Sequence, residues 1–103
     1  MKNLKFIVLA LVLFLNISCE ETTDVVESGV YQGVVHEVEA DKTEIYVKTD
    51  DGKLLELYFT DSTRLTKDNT TVPFDQLAEG KKVEVEVKKT GNRLDPISVK
   101  ILE

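Results

Sequence analysis

The chain has little of the chemistry that enzymes and metal sites use. Its 103 residues include one cysteine, one histidine, one methionine and no tryptophan. A single cysteine cannot form a disulfide within its own chain, so the fold must rely on a hydrophobic core. After position 18 the serines are Ser28, Ser62 and Ser98, and none of them stands in a nucleophile motif. These absences predict a protein that is not an enzyme, has no catalytic residues and uses no cofactor.

Long hydrophobic runs are also scarce. The one candidate is the apolar segment 6–15, which follows Lys2 and Lys5. A membrane-spanning helix needs about 20 apolar residues. The segment is therefore too short to span and is typical of the central region of a secretory signal peptide. An uncleaved anchor is the weaker alternative.

The single cysteine follows this segment closely. Residues 15–19 read LNISC, with the small residue Ser18 directly before Cys19. This stretch resembles the lipobox of bacterial lipoproteins, although Asn16 and Ile17 depart from its commonest form. The resemblance implies a lipoprotein signal peptide at 1–18, lipidation of Cys19 and a membrane anchor through that lipid. A buried structural cysteine fits poorly beside the acidic residues that follow.

The segment after the cysteine reads as a tether. We expect residues 19–28 to be the lipidated cysteine and an acidic tether, which leaves 29–103 as one small domain. Glu20 and Glu21 resemble the surface-export signals of lipoproteins in the Bacteroidetes. The expected location is therefore the bacterial envelope, at the outer membrane, with the domain on either the periplasmic side or the cell surface.

Positive charge is in short supply. The chain has 13 Lys and Arg against 19 Asp and Glu, a net charge of −6, and two of the lysines lie in the predicted signal peptide. Nucleic-acid binding needs clustered basic residues that displace counterions. The composition therefore predicts no nucleic-acid partner, and we expect a monomeric domain.

From residue 29 onward, apolar and polar residues alternate with the period of a half-buried strand. The parity of the apolar set changes between Val35 and Val38, which predicts a β-bulge near His36 and Glu37. Gly33 marks a place where the strand can coil sharply. Five strands are predicted, over residues 29–40, 43–49, 53–60, 81–89 and 96–103.

The turn between the second and third strands sets their register. Residues 50–52 read DDG, which suits a three-residue hairpin with Gly52 in the left-handed conformation. This turn places Val47 opposite Leu55, and both then face the core, whereas a two-residue turn would mix core with solvent.

The end of the chain is expected to contain a loop and a last strand. Residues 90–95 read as a polar loop before Pro96. In the strand that follows, Ile97, Val99 and Ile101 alternate with polar residues and are expected to be buried.

The order of elements suggests a barrel. Residues 61–80 read as an irregular connection in which Phe74 and Leu77 plug one end. Three strands, a plug and two strands, with a long bulged first strand, resemble the OB-fold barrel. The motifs YQGVV, KTDDGK and FDQLAEGKKVEVEV are similar to those of a widespread family of exported bacterial domains with OB-like architecture and no assigned function. The resemblance implies an all-β, five-stranded OB-fold-like barrel over 29–102, with an SH3-like barrel as the alternative.

One face of this barrel is a candidate binding surface. The outer face of the second and third strands is the usual ligand surface of OB folds. Its tyrosines suit stacking on a sugar or anchoring a partner protein. The alternative is a purely structural role, in which they pack across the strands and shield the sheet. The candidate residues are Tyr46, Lys48, Leu54, Glu56 and Tyr58.

Acidic residues near the two predicted hairpins are candidates for a metal site. Calcium needs six to eight converging oxygens, and no D-x-D-x-D-G order is present. Asp50 and Asp51 are accounted for by the turn, and His36 reads as a surface residue. The sequence therefore predicts no metal site. The acidic residues near the first predicted hairpin are Glu37, Glu39, Asp41 and Glu44.

These features predict a non-catalytic protein-interaction or assembly module, anchored in the envelope, with a possible envelope protein as partner. The alternative is a small-ligand binding module for a glycan or a cation.

Overall fold

The structure, a computed structural model, describes residues 22–103, which form an all-β unit. The predicted signal peptide, Cys19, Glu20 and Glu21 lie outside the described residues. Two single 3-10 turns occur, at Ala40–Lys42 and Phe74–Gln76. The strands are β1 (Gly29–Glu39), β2 (Glu44–Thr49), β3 (Leu54–Tyr58), β4 (Arg64–Lys67), β5 (Thr70–Thr71), β6 (Lys82–Thr90) and β7 (Arg93–Ile101).

Within this part of the chain, we find no helix with the length and apolar character needed to cross a bilayer.

The seven strands of residues 22–103 belong to one sheet, in the order β3-β2-β1-β6-β7-β4-β5. Neighbouring strands are antiparallel except β4, which runs parallel to β7. β1 joins the two halves because it pairs with β6 along its first half and with β2 along its second half. The hydrogen-bonded ladder does not close on itself, but β3 packs beside β7. The result is a partly open barrel of the OB type, which confirms the predicted all-β, OB-like class. The prediction of five strands is wrong by two, because the short strands β4 and β5 are additional.

The connection between β3 and β6 is more regular than expected. Residues 61–80 contribute β4 and β5, which are joined by a tight turn in which Asp68 (φ 53°) and Asn69 (φ 64°) are left-handed. Such a turn matches the twist of a short hairpin. The sequence of this segment did not predict a strand. The main partner of β4 is the distant strand β7, and local periodicity does not reveal a pairing of that kind.

The bulge predicted in β1 is present. Val35 pairs with Val47, but the next pair on β2 is Glu37 with Tyr46, so His36 is the extra residue. The bulge returns Val38 to the core side of the sheet, where it packs against the buried cluster. The change of parity of the apolar residues therefore predicted the position of this bulge correctly.

The β2–β3 hairpin also has the predicted register. Val47 pairs with Leu55 and Ile45 with Leu57. Gly52 has a φ of 89°, the left-handed conformation that this turn requires. All four paired apolar residues are fully buried.

The β6–β7 hairpin differs from the prediction. β6 continues to Thr90 and β7 begins at Arg93, so the expected loop is a two-residue turn at Gly91 and Asn92. A second bulge follows, because Glu86 pairs with Ser98 but Val87 pairs with Pro96.

The expectation that Ile97 is buried is therefore wrong. Ile97 is the extra residue of this second bulge, and it is 42% exposed. Leu94 and Pro96 are buried in its place, because the bulge reverses the side of the sheet that each residue faces.

One apolar cluster fills the barrel. Leu77 belongs to it, and Phe74 packs against it from the short turn before β6, as the predicted plug requires. The Phe74 ring meets the ring of Phe59 edge to face, with centroids 5.1 Å apart. The buried members are Val35, Ile45, Val47, Leu55, Leu57, Leu65, Leu77, Val83, Val85, Val87, Leu94, Val99 and Ile101.

Part of the predicted tether lies against the barrel. The backbone N–H of Asp24 donates to the carbonyl of Leu54 (2.8 Å), and the N–H of Leu54 donates to Asp24 Oδ2 (2.9 Å). Val26 packs against the core. Asp24 therefore pairs with the edge of β3, and this part of the tether lies on the barrel surface.

Replacing Asp24 with alanine is expected to loosen this contact. The N–H of Leu54 would lose its acceptor, so the free energy of unfolding should fall by about 1 kcal/mol and the Leu54 amide should exchange with solvent faster. Amide hydrogen exchange measures this directly. Asp24→Asn keeps an acceptor oxygen and should have a smaller effect, and equal exchange in all three proteins would contradict the assignment.

Candidate functional site

The outer face of β1, β2 and β3 gathers carboxylates and tyrosines. Cross-strand pairing places Glu44 between Glu39 of β1 and Tyr58 of β3. Alternate residues of a strand share a face, so the row of pairs two residues along β2 lies on the same side of the sheet. We call this set the acidic tyrosine face, and its members are Glu37, Glu39, Glu44, Tyr46, Glu56 and Tyr58.

Most of the predicted binding residues take the expected positions. Tyr46 and Glu56 are half-buried partners across β2 and β3, Tyr58 is 44% exposed, and Lys48 is exposed at the far end of the face. Whether they bind a ligand stays a prediction.

Leu54 is the exception. It was expected to be exposed, but it is only 5% exposed. Its parity is that of the outer face, as predicted, but the chain around Asp24 is hydrogen bonded to both backbone groups of Leu54 and covers this part of the strand. Leu54 is therefore removed from the candidate binding surface.

Glu44 is the most unusual residue of the face. It is 1% exposed, and within residues 22–103 neither of its carboxylate oxygens has a hydrogen-bond partner. Buried carboxylates are normally paired or hydrogen bonded, because an ionised carboxylate without either costs several kcal/mol. Glu44 therefore lies in a place that favours a proton or another positive charge beside it.

The surroundings of Glu44 make its ionisation unfavourable. Burial raises the pKa of Glu44, and the carboxyl of Glu56 raises it further. The hydroxyls of Tyr58 and Tyr46 act in the opposite direction but do not overcome these effects on the pKa. Loss of hydration and the neighbouring Glu39 raise the pKa of Glu37 as well. The face thus resists the accumulation of negative charge.

The two tyrosines experience the same field. Burial, together with Glu56 and Glu44, raises the pKa of Tyr46 far above its ordinary value. Partial burial, together with Glu44 and Glu56, raises the pKa of Tyr58 to about 12. Tyr46 also donates a long hydrogen bond to Glu56 Oε2, at 3.4 Å. Both rings therefore remain neutral at physiological pH, and their faces stay electron-rich beside the carboxylates.

The acidic residues of the β2–β3 turn are separate from the acidic tyrosine face. Asp51 accepts a hydrogen bond from Thr49, which lowers the pKa of Asp51, so its role is in the turn. In the described part of the chain, no group of three or more His, Cys, Asp or Glu side chains is arranged to hold a metal ion. His36 is exposed at the bulge in β1.

A shallow cleft adjoins the acidic tyrosine face. It lies where β3 and β7 pack without a hydrogen-bonded ladder, and the tether forms one of its walls. Glu56 and Tyr58 line it from β3, Val25 from the tether, and Arg93 and Leu94 from β7. Glu56 and Tyr58 therefore belong to both the cleft and the face.

The basic residues near the β6–β7 turn are engaged with acidic partners. Arg93 Nε donates to Asp95 Oδ1 at 2.9 Å, which lowers the pKa of Asp95. Lys89 Nζ lies 3.3 Å from a carboxylate oxygen of Glu27. Lys89 therefore links β6 to the tether, and Asp95 neutralises the charge of Arg93, which lines the cleft.

Comparison with known structures shows the same fold in CusF of Escherichia coli. A Cu(II)-bound tryptophan-to-alanine variant has a TM-score of 0.58 at 15% identity, covering 82% of this chain and all of that one. An Ag(I)-bound form has a TM-score of 0.56 at 17% identity, covering 75% and 94%. The metal-free form has a TM-score of 0.55 at 17% identity, covering 82% and 100%. At this identity, the similarity shows the fold.

No protein-family model matches the chain. No curated protein matches it either.

Glu44 was missed as a site residue by sequence reasoning. A signal was available, because Glu44 has the same parity as Tyr46 and Lys48 and belongs to the same face. In the sequence it also stands among the acidic residues of the first hairpin, which hides this relation. Its burial depends on residues of the neighbouring strands β1 and β3. The pattern of apolar and polar residues around Glu44 does not predict those contacts.

Proposed function

We propose that this chain is a lipid-anchored protein of the bacterial envelope whose OB-like barrel binds a small cation on the acidic tyrosine face. In this proposal the domain is monomeric, non-catalytic and without a nucleic-acid partner. The observation that carries it is the Glu44 carboxylate, which is buried and without a hydrogen-bond partner beside Glu56. A bound cation would relieve the cost of burying that charge.

The structural neighbours support a cation in preference to an uncharged ligand. CusF was solved with Cu(II) and with Ag(I). The donors differ, however, because residues 22–103 contain no cysteine and no methionine, and His36 is their one histidine. Silver and copper(I) prefer sulfur ligands, whereas carboxylates suit harder cations and hydrogen-bond donors. The proposed ligand is therefore not a soft metal ion.

The protein-interaction module, our first expectation, has less support. Leu54, one of its proposed anchors, is buried beneath the tether, and Tyr46 is half-buried. It stays a prediction, and cross-linking in cells from Tyr46 and Tyr58, with Lys100 as the control position, would reveal a partner. A glycan remains as another occupant of the same face.

The anchor has its own test. The resemblance of LNISC to a lipobox supports lipidation of Cys19. Wild-type protein should incorporate labelled palmitate and partition with membranes. Cys19→Ala should do neither, because it lacks the thiol that carries the lipid, and stable membrane binding needs two or more acyl chains. Membrane attachment of Cys19→Ala, together with unlabelled wild type, would overturn this part of the proposal.

Cation binding is tested by NMR titration. The probe protein is residues 19–103 with Cys19→Ser, which retains the whole barrel core. Calcium, silver, ammonium and N-acetylglucosamine are added separately at constant ionic strength. We expect a cation to shift the amide signals of Glu44, Tyr46 and Glu56, and we expect Glu44→Gln to abolish the shift.

The matched control is Glu86→Gln, an exposed glutamate on β6. It removes the same charge from β6, which contributes no residue to the acidic tyrosine face, and should leave the titration unchanged. Shifts caused by the sugar alone, or cation shifts that are equal in Glu44→Gln and wild type, would contradict the proposal.

A further inference from the structure

We propose that the ligand is a primary ammonium group carried on an uncharged, largely apolar body. Its ammonium would lie between Tyr46 and Tyr58 and donate to Glu44 and Glu56, and its body would lie in the cleft between the tether and β7. This inference rests on the proposed function and deepens it, because it names the chemical class of the cation.

The donors of an ammonium match what Glu44 lacks. Both Glu44 oxygens are buried without hydrogen bonds, and the Glu56 carboxyl lies beside them. An ammonium group carries one positive charge and three N–H donors. It can therefore donate to both Glu44 oxygens and still donate to Glu56. In the ligand-free structure those oxygens are closed to solvent, so the exposed Tyr58 side chain must move aside to admit the ligand. A calcium ion would need six to eight oxygens, and the described residues bring no three acidic, cysteine or histidine side chains together for one.

The tyrosines match an organic cation. Tyr46 and Tyr58 lie on neighbouring strands of the same face, with Glu44 paired to Tyr58 and Glu56 paired to Tyr46. The two rings and the two carboxylates therefore alternate around one point. Ammonium groups are attracted to the faces of aromatic rings, most strongly where water is partly excluded. One ring and one carboxylate of this group are already in contact, because Tyr46 donates a long hydrogen bond to Glu56.

The cleft provides room for the body of the ligand. Glu56 and Tyr58 line it, so it adjoins two of the four residues around the proposed ammonium position. Val25 and Leu94 give it apolar walls, and the charge of Arg93 is neutralised by its bond to Asp95. A ligand that placed its ammonium at Glu44 would thus extend past Tyr58 toward Val25. A body with a negative charge would meet Asp24 and Glu56, so an uncharged body fits best.

Isothermal titration calorimetry of the residue 19–103 protein with Cys19→Ser tests this. The probes are pentylammonium, methylammonium, pentanol and calcium. Pentylammonium should bind at least ten-fold more tightly than methylammonium, and pentanol should not bind. Glu44→Gln should weaken pentylammonium binding at least ten-fold, and Glu86→Gln should leave it unchanged. Val25→Ser should weaken pentylammonium but not methylammonium, since methylammonium has no body to place in the cleft.

The outcomes separate the two proposals. Binding of calcium that depends on Glu44, without binding of either amine, would overturn the ammonium assignment and leave the cation site standing. Amine binding that is equal in Glu44→Gln and wild type would overturn both. Equal affinities for the long and the short amine would overturn the role of the cleft, and absence of binding by every cation would overturn both proposals.

Discussion

Glu44→Gln is expected to stabilise the ligand-free protein above neutral pH, by about 1.4 kcal/mol for each unit by which folding raises the pKa of Glu44. Burial and Glu56 hold the pKa of Glu44 above its ordinary value in the folded state. The free energy of unfolding of the wild type is therefore highest below the unfolded-state pKa of Glu44, where the carboxyl is neutral. It falls as the pH rises through the higher folded-state pKa. Glutamine has nearly the same shape and does not ionise, so the variant should not show this loss.

Urea denaturation at a series of pH values measures the effect. The two stability curves should meet at acidic pH, where Glu44 is neutral in both states, and separate as pH rises. Glu86→Gln, at an exposed position on β6, should follow the wild type throughout. A Glu44→Gln protein that is less stable than wild type at alkaline pH would show that the carboxylate is satisfied in the folded protein, contrary to its lack of hydrogen-bond partners.

Gly33→Ala is expected to destabilise the barrel by about 3 kcal/mol or more, at the upper end of overpacking costs. A Cβ at this position would lie 2.2 Å from the carbonyl oxygen of Lys48 and 2.8 Å from its carbonyl carbon. Both obstacles are backbone atoms, so no side chain can rotate away. Gly33 also pairs with Thr49 on one side and Val83 on the other, which prevents β1 from moving to make room.

Gly52→Ala provides the comparison. A Cβ at Gly52 meets no atom within 4 Å, but the residue has a φ of 89°. Its cost should therefore be that of a left-handed conformation alone, about 1 kcal/mol. Thermal denaturation of the two variants should rank Gly33→Ala well below Gly52→Ala. Equal melting temperatures would mean that β1 and β2 do not approach as closely as the structure shows.

Features that depend on neighbouring residues were predictable from the sequence. The parity of the apolar residues gave the bulge at His36, and the DDG turn gave the pairing of Val47 with Leu55. Both follow from the two-residue period of a strand and from the geometry of a short turn. The position of the candidate face on the outer side of β2 and β3 followed from the same parity.

Features that depend on distant residues were not predictable in this way. Leu54 and Asp24 are thirty positions apart, and no periodicity within either segment reveals that they pair. The burial of Ile97 was predicted wrongly because the bulge beside it is a property of the β6–β7 pairing, and a single extra residue reverses the faces of a strand. The short strand β4 was missed because β7 supplies its partner.

The burial of Glu44 is also a tertiary effect, and the proposed cation site depends on it. A glutamate at the first position of β2 is ordinary in sequence, and its environment becomes unusual only when β1 and β3 pack around it. Proteins retain destabilising groups of this kind where binding requires them. The predicted gain in stability of Glu44→Gln and its predicted loss of cation binding are therefore two results of one cause.

The most direct test of this account is the pH titration of the Glu44 side-chain carboxyl carbon by NMR, with and without saturating pentylammonium. The free protein should show a Glu44 pKa above the ordinary glutamate range. Bound cation stabilises the ionised form, so the pKa should fall when the ligand is added. A Glu44 carboxyl that titrates in the ordinary range in the free protein, or whose pKa is unchanged by a ligand that demonstrably binds, would contradict the assignment of Glu44 as the centre of the site.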